Sequence, residues 1–216
     1  MRDALAAGFR VRDAYARARR RELRAALDHA AIRPDACVEI GCVDQEASLD
    51  LDGVARRVAD LIASSSVDFV LTHPYEGGHP DHDATAFAVH TAAQLLSRYG
   101  ASPPAIVEMT SYHAGPGGIQ TGVFLPGTPE VCIRLSPEEQ ALKRAMLDCF
   151  ISQAQMLAPF TVACERFRLA PSYRFDTPPH EGPLFYEHFD WGMEGPRWRR
   201  LAAQALSRLD LEPDRD

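Results

Sequence analysis

Apolar positions along the chain alternate between short continuous runs and stripes at helical spacing. Val11, Tyr15, Ala18, Ala26 and Ala30 predict an amphipathic helix over residues 11–30. Ala36-Cys37-Val38-Glu39-Ile40-Gly41 reads as a strand leading to Asp44-Gln45, and residues 51–63 as a second helix. Val67-Asp68-Phe69-Val70-Leu71-Thr72 is a β-branched and aromatic run of the kind that forms a buried strand. After it, Ala84, Ala88, Ala92, Leu95, Leu96 and Tyr99 share one helical face, and Gly100 is placed to stop that helix. Residues 105–109 and 130–135 predict two further strands. Ser136-Pro137-Glu138-Glu139 is a capping box with proline inside the first turn, opening a helix to about residue 157. A last helix is expected over residues 196–209. Strands alternating with helices predict an α/β fold: a Rossmann-like open, mostly parallel sheet with helices on both faces. The expected organisation is one domain over residues 1–158, with residues 159–216 as a Pro- and aromatic-rich tail and helix packed onto it.

Between the strand at 67–72 and its helix lies Thr72-His73-Pro74-Tyr75-Glu76-Gly77-Gly78-His79-Pro80-Asp81-His82-Asp83. It concentrates imidazoles and carboxylates in a Gly/Pro-broken loop, where chemistry is commonly placed. Open α/β sheets bind ligands at the carboxyl ends of their strands. Pro80 suits a first helical turn, which puts His82 in that turn. The positive end of the helix dipole disfavours imidazolium there, keeping the ring neutral and able to bind a metal. The bland alternative is that Asp81 or Asp83 only caps the helix. The preceding strand, the double glycine and a third imidazole at His73 favour a functional site.

The segment resembles the PIG-L/LmbE-like family of zinc-dependent N-deacetylases. The likeness rests on Thr72-His73-Pro74 through His79-Pro80-Asp81-His82. It is supported by Arg19 and Glu22 as an Arg-x-x-Glu pair, by Asp44-Gln45, by Glu108-Met109-Thr110-Ser111-Tyr112-His113, and by Tyr186-Glu187-His188-Phe189-Asp190-Trp191-Gly192. The resemblance implies His82 as a ligand of Zn2+ or another divalent metal. It implies His79 as the group that stabilises the oxyanion or acts as an acid, and Asp81 as the residue that orients an imidazole. Arg19, Glu22, Asp44, Tyr75 and His113 are the expected substrate-binding residues, with packing as the alternative for Tyr75 and a local hydrogen bond for His113. The implied activity is hydrolysis of an N-acetylated amino sugar or related amine with release of acetate.

The chain also departs from the family pattern. The family's other metal element, an Ala-His-Pro-Asp-Asp-Glu-like turn that supplies two ligands and the general base, has no counterpart here. The opening residues 1–9 resemble the loop after the family's second strand. The expectation is a member lacking a first segment of roughly 30 residues. Such a chain would hold an incomplete metal site, with Glu76 as the nearest local base, and would associate with itself through an unpaired sheet edge. A non-catalytic relic or binding module that keeps the fold is the competing expectation.

Composition narrows the partners. The 216 residues are 46% hydrophobic and 25% charged, ordinary for a folded globular chain. A net charge of −7 argues against nucleic acid, and the basic cluster Arg17, Arg19, Arg20, Arg21 and Arg24 reads as a solvated helix face. Cys37, Cys42, Cys132, Cys149 and Cys164 form no Cys-x-x-Cys pair, so buried reduced thiols in a cytoplasmic protein are expected. No apolar run is long enough to predict a membrane span.

Overall fold

The computed structural model describes residues 8–211. Most of the opening stretch likened to a family loop therefore lies outside the described residues. In chain order the elements are helix α1 (Arg12–His29), helix α2 (Leu51–Ser65), strand β1 (Phe69–Thr72), helix α3 (Pro80–Arg98), strands β2 (Ala105–Met109), β3 (Tyr112–Gly115), β4 (Gly118–Thr121) and β5 (Glu130–Arg134), helices α4 (Pro137–Asp148) and α5 (Ala154–Leu157), strand β6 (Cys164–Leu169) and helix α6 (Gly195–Arg208). The chain groups into two compact units, one of residues 1–39 and 133–165, the other of residues 40–132 and 166–216. The tail from residue 166 onward is thus part of the unit that holds the histidine loop.

In the first unit, α1 packs against α4. Ser136 caps α4 and Glu139 closes the capping box, as its sequence predicts. The helix expected to run to residue 157 instead ends at Asp148, and Glu22 accounts for the break. Its carboxylate accepts hydrogen bonds from the Ser152 amide (2.8 Å) and the Ser152 hydroxyl (2.6 Å). A continuing helix would direct that amide to a backbone carbonyl instead.

The strands form a four-stranded sheet in the order β1-β2-β6-β5 and a separate β3-β4 hairpin; β1, β2, the hairpin and residues 166–169 of β6 belong to the second unit. β1 and β2 run parallel, with Phe69 opposite Ala105 and Thr72 opposite Glu108. β2 and β6 run antiparallel, so the α/β fold has a mixed sheet. A buried Glu108–Arg168 ion pair (2.7 Å) links these two strands, and Arg168 also donates to Tyr173 Oη. Paired in this way, Arg168 can occupy a buried strand position. The core lies among α2, α3 and α6, around Phe87, Trp198, Leu51 and Ala55. The strand expected at residues 36–41 does not form: Val38 is 64% exposed and Gly41 has φ +81°. β1 ends the sheet, with Phe69 and Leu71 exposed and Thr72 turned inward.

Cys37, Cys42 and Cys132 are exposed, contrary to the expectation of buried thiols, and all five cysteines are free. Among the described residues no helix is long and apolar enough to cross a membrane.

His90, on α3, is buried against the rings of Tyr173 and Phe175, and its Nε2 has no hydrogen-bond partner. Burial pushes its pKa down from 6.5 to about 4. The folded chain therefore binds fewer protons than the unfolded chain between those values. The stability gained by keeping His90 neutral is complete above pH 6.5 and is lost as pH falls through 4, with a loss of ~2 kcal/mol by pH 5. Urea midpoints at pH 7 and pH 5 should fall further in the wild type than in His90→Leu. Superimposable pH profiles would show that His90 is not held neutral by burial.

Candidate active site: the histidine loop

The loop is built by glycine and closed by a carboxylate. Gly77 has φ +72°, and a Cβ there would meet Leu184 Cδ2 at 2.6 Å. At Gly78 a Cβ would lie 1.8 Å from the Tyr112 carbonyl oxygen, so only glycine lets the loop lie on β3. Asp83 Oδ1 accepts the backbone N–H groups of Glu76 (3.2 Å) and Gly77 (3.0 Å), fastening the loop to the first turn of α3. From the tail, the Phe185 amide donates to Gly77 O (2.8 Å) and the Trp198 indole N–H donates to Pro80 O (3.2 Å).

His79 is the N-cap of α3, and its Nδ1 accepts the Asp81 backbone N–H at 3.1 Å. An acceptor Nδ1 in a neutral imidazole leaves the proton on Nε2. Burial, with His73 nearby, lowers the His79 pKa to about 4, so the ring is neutral at pH 7. His79 therefore presents an Nε2–H donor, with Trp191 against its ring (centroids 4.9 Å apart). The sequence reads the aromatic segment that holds Trp191 as anchoring the tail, with a pocket lid second, and does not pair Trp191 with His79.

His82 is held on three sides. Its ring stacks on His73 (4.3 Å, 15°), meets the edge of Tyr112 (5.2 Å), and lies with Nδ1 3.2 Å from Ser111 Oγ. Burial, with His73 and His79 close by, lowers its pKa well below the ordinary value. Where Ser111 accepts the Nδ1 proton, the Nε2 lone pair is left for a metal. The sequence places Ser111 with Tyr112 and His113 at a strand end that could share one crevice with the histidine loop, without naming His82 as its partner.

Other expected residues are placed differently. The Asp81 carboxylate orients no imidazole. Its oxygens accept the amides of Gln45 (2.6 Å) and Ala47 (3.1 Å), and it is Asp81's backbone N–H that orients His79. Burial raises the Asp81 pKa to about 6 against these two hydrogen bonds. Glu76 is 1% exposed, and burial together with Asp83 and Glu108 raises its pKa well above the carboxylate range. Both its carboxyl oxygens are buried, so it has no open face to a water and is poorly placed for the base role expected of it. Tyr75 is a core residue rather than a substrate contact. It is 3% exposed, donates to Thr177 O (2.8 Å) and stacks on Trp198. Arg19 and Glu22 belong to the first unit, where they pair at 3.1 Å, Glu22 binds Ser152, and Arg19 lies over Phe150. His113 follows Tyr112 on β3. Strand alternation turns it to the face opposite the one Tyr112 presents to His82.

Asp44, His79 and Asp81 each offer a ligand atom within 4.8 Å of one another, which is the spacing of a candidate divalent-cation site. The Asp81 oxygens keep a lone pair each beside their backbone N–H bonds, but His79 fits such a site poorly, because its Nδ1 is engaged by the Asp81 N–H and its Nε2 carries the proton. That group also omits His82. Among the described residues, then, the donors close no three-ligand site around His82, and one ligand does not define a tetrahedral ion.

Residues 3–93 match the PIG-L family, described as GlcNAc-PI de-N-acetylase. No curated protein matches the chain. Two solved structures are similar, each over 77% of this chain. One is a deacetylase–bog complex from the teicoplanin biosynthesis pathway, with TM-score 0.53, 22% identity and 77% of that chain covered. The other is the zinc-inhibited form of a teicoplanin deacetylase, with TM-score 0.50, 20% identity and 78% of that chain covered. At these identities the structural likeness speaks for the fold alone. Residues 3–93 thus match the PIG-L family model, and the chain's fold is similar to that of the two solved deacetylases.

Proposed function

We propose that this chain is a deacetylase-type amide hydrolase that releases acetate from an N-acetylated amino sugar or related amine, with His79 as the oxyanion donor. The carrying observation is the Asp81 N–H bond to His79 Nδ1, which fixes the Nε2–H tautomer. Attack of water on an acetyl carbonyl moves negative charge onto its oxygen. A donor already aimed at that oxygen stabilises the charge without reorganising. A neutral imidazole suffices, since it donates a hydrogen bond without giving up its proton. The family match and the deacetylase fold support this reading.

A divalent metal with His82 among its ligands would supply an activated water. His82 can offer its Nε2, but the described residues do not complete that site, so activation of the water is not assigned to them. The same observation favours a second reading, a domain that binds N-acetylated ligands without cleaving them.

Acetate released from N-acetylglucosamine and its 1-O-substituted derivatives would separate the two readings. Acetate formed with the chain and not with a heat-treated control supports the hydrolase. Saturable ligand binding with no acetate across the series would sink it and leave the binding domain.

A further inference from the structure

Two imidazoles outside the histidine loop share an unusual arrangement. His113 on β3 is 6% exposed, and its Nδ1 lies 2.8 Å from Ala114 O. His180, in the loop between β6 and α6, has Nδ1 2.8 Å from Glu181 O. A carbonyl oxygen only accepts, so each Nδ1 must carry a proton and donate it. In the neutral ring, each Nε2 is then a bare lone pair. Both Nε2 atoms are buried and neither has a hydrogen-bond partner. The two rings are neighbours, with centroids 6.5 Å apart and planes inclined at 53°.

A single buried acceptor without a partner is costly, and on two neighbouring rings one shared occupant would satisfy both. The Nδ1–H to carbonyl bond is the device that orients a metal-binding histidine and raises the basicity of its other nitrogen. A zinc ion bound at about 2.0–2.1 Å lies roughly 3 Å from an imidazole centroid, so two rings on one ion have centroids about 5 Å apart at a tetrahedral angle and about 6 Å apart when they lie trans across it. The observed 6.5 Å is near the trans spacing of a square-planar Cu2+, and a movement of about 1 Å by the His180 loop would bring the rings to the tetrahedral one.

We propose that His113 and His180 form a two-imidazole binding site for a transition-metal cation of the Zn2+ or Cu2+ class, separate from the His82 loop. Solvent or a bound ligand atom completes the coordination. Neutral nitrogen donors select such borderline cations over Mg2+ or Ca2+, which prefer oxygen. Strand alternation separates this pair from the loop, because Tyr112 presents its ring to His82 while His113 points to the other face of β3.

The test uses Cu2+ as the probe, since it binds nitrogen donors most strongly in its series. Cu2+ is titrated into the full chain and into His82→Ala, His113→Gln and His180→Gln, with affinity read by calorimetry and nitrogen hyperfine coupling by electron paramagnetic resonance. The expected result is a site with two imidazole nitrogens that persists in His82→Ala. Either glutamine variant should weaken that site about tenfold or more. His180 is on a loop, so its variant keeps the test decisive if His113→Gln does not fold. Unchanged Cu2+ binding in His180→Gln, or loss of all nitrogen-coupled copper in His82→Ala, would overturn the proposal and leave a bridging water as the occupant.

Discussion

Replacing His79 by alanine is expected to lower kcat for acetate release by ~10²–10³ while leaving KM nearly unchanged. The effect is large because the Nε2–H bond is strongest to an oxygen that carries full negative charge only in the transition state. The sequence leaves His79 as an oxyanion stabiliser or an acid, and the first is the role proposed above. Burial lowers its pKa to about 4, so the ring enters the reaction neutral. Catalysis through His79 should therefore show no loss as pH rises through 6.5, where an exposed imidazolium would deprotonate. A kcat unchanged in His79→Ala would remove His79 from the mechanism. A wild-type rate that collapses above pH 6.5 would show that an imidazolium is required.

Gly78→Ala is the second large effect. The added methyl would lie 1.8 Å from the Tyr112 carbonyl oxygen, a backbone atom of β3 that cannot step aside alone. The loop must lift from the hairpin, at a cost near or above the upper end of the ~1–3 kcal/mol usual for overpacking. The same shift would separate His82 from Ser111 and from the Tyr112 edge, contacts that depend on loop and hairpin lying together. Thermal melting should show a clear fall in Tm, and acetate release should drop even where the variant still folds. A variant with wild-type Tm and activity would mean that the loop does not sit on β3 as described.

What could be read from the sequence was local. Helix α3 was legible because Pro80 and Gly100 mark its ends within one segment, and α4 because Ser136 and Glu139 form their capping box three residues apart. The lost helical turn after Asp148 was not legible, because its cause is Glu22, 130 residues away. β6 was hidden for a similar reason. Its Glu165, Arg166 and Arg168 read as surface, and only pairing with Glu108 lets Arg168 be buried. The expected strand at 36–41 had suitable side chains, but a strand also needs a neighbour to pair with, and composition does not reveal one.

The candidate site divides the same way. His79 and His82 stood out from spacing alone, within a single turn. Ser111 and Trp191 reach them only through tertiary folding. Tyr75 and Glu76 lie in the motif yet point into the core, which a Gly-rich loop does not announce. Asp81 is legible in the motif, but it meets His79 through its backbone N–H, while its carboxylate holds the Gln45 and Ala47 amides.

The central claim is that His79 is a neutral imidazole with its proton fixed on Nε2. Two-bond 1H–15N correlation spectra of histidine-labelled protein at pH 7 test it directly, with His79→Gln supplying the assignment. The expected His79 signal pattern is that of the neutral Nε2–H tautomer, unchanged down to about pH 5. An Nδ1–H tautomer, or an imidazolium at pH 7, would contradict it.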